Sequence, residues 1–274
     1  MREQLWLRLR NTPLLRHAYA VPGLRQLLSA SSRLLVPSSR QRLLRVRSGL
    51  GEGLLLRLSP RWEVSLWQGT YEPEVQRLLD RLLRPGITFY DIGAGIGFYS
   101  FVAARRGAQV FAFEPDEKNA RYIEEHGRMN GVLPGLQVIH KAVYSRTGEM
   151  SLHAARWERG HGNAAVNLDQ PASTASLRIS CVTLDHFAVE HPLPQLLKVD
   201  VEGAESEVLK GGTELFSAVR PDLLCEVHDS PNRAFVEDWL RLRGYTFRWL
   251  EGEETFPRHV FGSARHNALG EPAP

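Results

Sequence analysis

The feature that most constrains this chain is a short apolar run over residues 87–92 that passes directly into Gly93-Ala94-Gly95-Ile96-Gly97. Glycine tolerates positive φ and lets the main chain approach a neighbour closely. A helical pattern over 98–106 follows. Strand, glycine loop and helix in that order place backbone N–H groups at the carboxyl end of a strand, where ligands of open α/β sheets sit. The alternation continues with a strand at 109–114, a helix at 116–130 ended at Gly131, and a strand at 136–140. It resumes with a strand at 195–201, a helix at 204–210, a strand at 222–228, a helix at 232–243 and a strand at 245–250. Strands alternating with helices of this length predict βαβ units and a doubly wound, Rossmann-like parallel sheet.

The chain divides into three stretches. Residues 1–50 form a basic arm with ten arginines and a single acid, Glu3, a local charge of +9; the whole chain carries +3, which leaves −6 for the rest. Residues 1–48 read as short amphipathic helices broken at Pro13, Pro22 and Pro37. Such an arm packs on the body or on a second copy of the chain, a homo-oligomer. Its basic amphipathic pattern also suits peripheral contact with an anionic membrane surface. Residues 51–84 read as a strand pair (Leu54, Leu56, Leu58, then Trp62, Val64, Leu66 in alternation) and a helix at 73–83 leading into the core. Residues 85–274 make the main domain. Within it, 155–176 is polar, holds Trp157 and His161 and lacks periodicity, as expected of a lid or specificity loop.

The acidic body argues against nucleic acid as a partner. No apolar run approaches the ~20 residues of a membrane span, and the first residues lack a signal-peptide pattern. Cys181 and Cys225 lie inside apolar runs, as reduced buried thiols do. Together these features predict a cytoplasmic location. His126, His153, His186 and His191 have no metal-ligand spacing and read as surface residues.

The loop itself selects among ligands. Glu114 ends the next strand 21 residues after Gly93, where a carboxylate accepts both hydroxyls of a ribose. A dinucleotide fingerprint would need glycine at 98, where the chain has Phe98. Asp91 would face a pyrophosphate unfavourably but suits a cation, the sulfonium and α-amino group of S-adenosylmethionine. Tyr71 and Glu72 are placed to close over the methionine end of such a donor, and Ala142, after Lys141, to meet the adenine edge.

A second cluster carries the chemistry. By the period of two along 195–202, Lys198, Asp200 and Glu202 share a strand face, and Glu226 and His228 share a face of the next strand. Charges in a buried parallel strand must be paired. In one reading, Asp200 or His228 is the general base beside the methyl group, with Glu202 near it. In another, Asp200, Glu226, His228 and Asp229 ligate a divalent metal that activates the acceptor hydroxyl. In a third, Lys198 pairs with Glu226 or Asp200 and Glu202 starts the next helix at its positive end. Lys198 takes the structural role in all three.

Six stretches resemble the FkbM-family methyltransferases: Gly69-Thr-Tyr-Glu-Pro-Glu74, Phe89-Tyr-Asp-Ile-Gly-Ala-Gly-Ile-Gly-Phe-Tyr-Ser100, Val110-Phe-Ala-Phe-Glu-Pro115, Val182-Thr-Leu-Asp185, Lys198-Val-Asp-Val-Glu-Gly-Ala-Glu205 and Cys225-Glu-Val-His228. They span roughly residues 65–230 in the family's order. The resemblance implies a class I methyltransferase fold, a seven-stranded sheet with its last strand antiparallel. It implies S-adenosylmethionine as donor, held by Asp91, Gly93, Gly95, Gly97, Glu114 and Pro115. It also implies O-methylation of a hydroxyl on a small natural product or a sugar or glycan. Gly95 departs from the pattern, since many members place asparagine there. Metal-assisted or N-directed transfer, an NAD-linked oxidoreductase and a non-catalytic donor-binding module stand as alternatives.

Overall fold

A computed structural model describes residues 41–60, 63–153, 176–252 and 256–264. The helices expected before residue 41, and most of the expected lid loop with Trp157 and His161, lie outside the described residues. The elements in chain order begin with β1 (Arg42–Arg45), β2 (Leu55–Leu58), α1 (Val64–Gln68), α2 (Pro73–Leu82), β3 (Thr88–Ile92), α3 (Phe98–Arg105), β4 (Gln109–Phe113) and α4 (Glu117–Met129). Next come β5 (Leu136–Ile139), β6 (Ala142–Val143), β7 (Gly148–His153), β8 (Ser176–Val182), α5 (Leu184–Ala188), β9 (Leu196–Val199) and α6 (Glu205–Lys210). The last are α7 (Thr213–Ala218), β10 (Asp222–Val227), α8 (Ser230–Leu242), β11 (Thr246–Trp249) and β12 (Arg258–Ser263).

Seven strands form the main sheet in the order β11-β12-β10-β9-β3-β4-β5. The strands from β10 to β5 run parallel, and β12 runs antiparallel to both of its neighbours. Helices cover both faces, so β3, β9, β10 and β12 are buried along their whole length, as parallel sheets require. One core layer packs the β1–β2 hairpin, α2 and α3 against Phe89, Val110 and Leu224. The other packs α5 to α8 against Tyr90, Phe113, Leu197 and Cys225. Cys181 and Cys225 are buried free thiols. The topology is that of the class I methyltransferases, as the sequence predicts.

Four expectations are corrected. Arg42–Arg45, placed by sequence in the helical arm, is a strand that pairs antiparallel with β2; the hairpin therefore begins before residue 51. Residues 64–68, read as strand, are helical, because Leu66 and Trp67 are both buried and adjacent residues of a strand face opposite sides. Residue 176, assigned to the loop, starts β8, which pairs antiparallel with β7 and parallel with β6 in a separate three-stranded sheet. His126, read as surface, has no exposed area; its Nδ1 meets the Tyr122 carbonyl and its Nε2 accepts from the Arg57 amide, so it ties α4 to β2.

Candidate active site

The carboxyl ends of β3, β4 and β9 frame a cavity of about 480 Å³, within the range of small-molecule sites. Gly93 has φ 78°, and a Cβ there would stand 1.8 Å from the Asp200 carbonyl oxygen. That contact brings the first turn of the loop against the end of β9. Gly95 also has positive φ, and nothing lies within 4 Å of where its Cβ would be. Its amide donates to Glu114 Oε2 at 2.8 Å. Glu114 Oε1 accepts from the amide of Asp116 at 2.9 Å. Burial pushes the Glu114 carboxyl up to about 7 against these hydrogen bonds.

A row of charges crosses the sheet beside this loop. Asp91 and Lys198 are register partners in β3 and β9, and Glu226 and His259 are partners in β10 and β12. Lys198 is opposite Leu224, two residues from Glu226, so Asp91, Lys198, Glu226 and His259 share one face. Asp91 is buried and accepts from Ser100 Oγ at 2.6 Å. The Lys198 ammonium, under the Tyr99 ring, donates to Asp200 Oδ2 at 2.8 Å. Burial opposes its charge, but Asp200, Asp91, Glu72 and Glu226 together hold it protonated. Burial likewise opposes ionisation of Asp200, and Lys198 outweighs it, so that carboxyl is held below its usual range. Burial, then the charge on Asp200, pushes Glu226 up.

His228 follows β10 and reaches the cavity. Its Nδ1 lies 2.6 Å from Glu205 Oε1, a carboxylate with no exposed surface. Its Nε2 lies 3.3 Å from Glu202 Oε2 and 3.9 Å from Asp200 Oδ1. Burial works against the imidazolium, but the hydrogen bond and charge of Glu205, with Glu202 and Asp200, outweigh it and raise the His228 pKa.

Of the residues expected at the donor site, Asp91, Gly93, Gly95, Glu114, Pro115, Ala142 and Tyr71 line the cavity. Two do not. Gly97 caps the start of α3, and Glu72 stands behind the lining, accepting from the Tyr99 hydroxyl at 2.9 Å. Asp200, Glu202, Glu226 and His228 all line the cavity. The shared strand face expected for Lys198, Asp200 and Glu202 does not hold, because β9 ends at Val199 and Glu202 sits in a turn at φ 53°. The helix start is served by Glu205, whose carboxylate accepts from the Gly203 amide. Of the expected metal set, Asp200, Glu226 and His228 converge. Asp229 instead caps α8 by accepting from the Asn232 amide at 2.7 Å, and the Lys198 ammonium already neutralises Asp200.

The sequence reading assigned no role to Glu205 or His259. Glu205 was visible as the last acid of the Lys198–Glu205 stretch. His259 carried no signal, since it lies on a strand that breaks the β–α alternation.

A class I sheet with a glycine loop, an acidic residue closing the second strand and a charged cavity beyond them defines a nucleoside-dependent methyltransferase. The FkbM methyltransferase domain is matched over residues 91–247, more than half of the chain. The chain belongs to the FkbM methyltransferase family. It is similar to a hexuronic acid methyltransferase of Haloferax volcanii, 29% identical over 61% of this chain and 66% of that protein. It is also similar to a 2-O-methyltransferase of Sinorhizobium fredii, 29% identical over 62% of this chain and 77% of that one. A solved FkbM methyltransferase from Methylobacillus flagellatus aligns with a TM-score of 0.49 at 18% identity, covering 65% of this chain and 43% of the other. Among the described residues, no helix is long and apolar enough to cross a membrane.

Proposed function

We propose that this methyltransferase uses S-adenosylmethionine to methylate a hydroxyl oxygen of a sugar, glycan or small natural product, with His228 accepting the hydroxyl proton. The observation that carries the reading is the position of His228. Its Nδ1 is fixed by a buried carboxylate while its Nε2 faces the cavity that the glycine loop closes.

The donor fits the residues present. The open space at Gly95 admits a ligand against the main chain, Glu114 offers carboxylate oxygens to a ribose, and buried Asp91 supplies negative charge near the loop. Bound there, the donor supplies an electrophilic methyl carbon on a sulfonium. Glu205 holds the imidazole in one orientation, so Nε2 is the nitrogen that meets an acceptor. Positioning of the reactants contributes up to ~7–11 kcal/mol of the barrier, and a placed base about 10²–10⁴ in rate. The two curated relatives, one acting on a hexuronic acid and one a 2-O-methyltransferase, support an oxygen acceptor.

The test is transfer of labelled methyl from the donor to a panel of glycosides, uronic acids and amines, by wild type and His228→Ala. Transfer to a hydroxyl is expected, with kcat lower in the variant by about 10²–10⁴ and donor binding retained. Absence of donor binding by the folded wild type, or an unchanged rate in the variant, overturns the reading.

A further inference from the structure

We propose that Glu72, Glu226 and His259 form a binding site for a divalent transition-metal ion at the wall of the cavity. His259 is held in β12 with its side chain 5% exposed. Its Nδ1 lies 2.7 Å from Glu251 Oε1. With Nδ1–H donating to that carboxylate, Nε2 presents its lone pair to the other side. There it is buried and has no hydrogen-bond partner among the described residues. It faces Glu226 Oε2 at 3.6 Å and Glu72 Oε2 at 3.7 Å.

That spacing is informative. An N–H···O hydrogen bond closes to about 2.7–3.2 Å. Ligand atoms around a tetrahedral ion with bonds of ~2.1 Å stand roughly 3.4 Å apart. The imidazole and the two carboxylates are too far apart to bond one another and close to the separation at which they would share an ion. The ligand atoms all lie within 4.8 Å of one another. A lone pair and two carboxylate oxygens converging in a largely buried space make a set of donors that a cation between them would satisfy.

Two of the three ligands also have an outer partner, the arrangement that orients metal ligands. Glu251 holds His259, and the Tyr99 hydroxyl donates to Glu72 at 2.9 Å. The neighbouring group of Asp200, Glu226 and His228 differs on this point. The Lys198 ammonium is hydrogen-bonded to Asp200 there, whereas it acts on Glu72 and Glu226 through its charge alone. One imidazole with two carboxylates favours zinc or a similar ion over magnesium, which prefers oxygen ligands and retained waters. Three protein ligands leave a fourth position, which is reached from the cavity because Glu226 lines it.

The proposal goes beyond the methyl-transfer reading and does not rest on it, since zinc binding is measured without donor or acceptor. The full chain, stripped with EDTA and dialysed, is titrated with zinc alone in a calorimeter, and its metal content is measured after gel filtration. One zinc per chain is expected, bound in the micromolar range or tighter. Glu251→Gln should weaken it about 10- to 100-fold, and His259→Ala by more. Where His259→Ala does not fold by circular dichroism, Glu72→Gln carries the same test. His228→Ala should keep the zinc. Absence of binding up to about 1 mM zinc, unchanged affinity in the folded ligand variants, or loss on His228→Ala with retention on His259→Ala overturns the proposal.

Discussion

His228 Nδ1 and Glu205 Oε1 stand 2.6 Å apart, with Glu205 wholly buried at the head of a six-residue helix. The pair joins the end of β10 to the start of α6 and leaves Nε2 toward the cavity. Replacing Glu205 by alanine frees the ring to rotate. A kcat loss of at least ~10-fold is expected, bounded by the ~10²–10⁴ that a placed base contributes, with donor affinity nearly unchanged. Steady-state kinetics with calorimetry of donor binding checks the split.

Lys198 is a buried cation of the sheet, with its side chain 4% exposed and its ammonium on Asp200. Lys198→Met leaves Asp91 and Asp200 facing each other without it. Breaking a buried pair by removing one partner costs about 3–5 kcal/mol. A thermal melt should show a fall of several degrees or more. Adding Asp200→Asn should recover part of the loss, which a double-mutant cycle measures.

Gly93 and Gly95 both have positive φ, yet they answer to different constraints. Gly93→Ala drives a Cβ onto the Asp200 carbonyl oxygen and should abolish folding or donor binding. Gly95→Asn meets open space, and asparagine tolerates left-handed φ. That variant should fold with a cost under ~1 kcal/mol and change donor affinity. Melting curves and donor titration on both variants separate the cases.

Glu114 titrates at about 7 in the folded protein, above the ~4.3 of a free glutamate. Folding thus favours its protonated form. Its stabilising contribution is present below about pH 4 and is lost as pH rises through 7. The amount is at most roughly 4 kcal/mol. Glu114→Gln should therefore gain stability relative to wild type between pH 5 and 8, while losing donor affinity at every pH. Denaturant melts at several pH values, taken as the difference between the two proteins, test the sign.

The glycine loop, the strand after it and the placement of Asp91 and Glu114 were legible because local rules govern them: a turn that needs glycine, a buried strand, a capped helix. The alternation of apolar runs and helices likewise predicted the parallel half of the sheet. The hairpin at Arg42–Arg45 was not legible, because its partner β2 lies across a turn and basic leucine-rich segments suit helix and strand alike. The helix at Val64–Gln68 was misread because its alternation was only three residues deep.

By itself, the sequence determined the class of fold, the glycine loop and most of the acids and histidines that line the cavity. Only the tertiary structure decided how they divide. It set Glu205 behind His228, turned Asp229 to a helix cap and sent Glu72 to Tyr99 and His259. The reason is that these partners come from separate strands and helices, 23 residues apart in one case and 187 in the other. Sheet register and helix packing bring such residues together, and periodicity along the chain does not encode either.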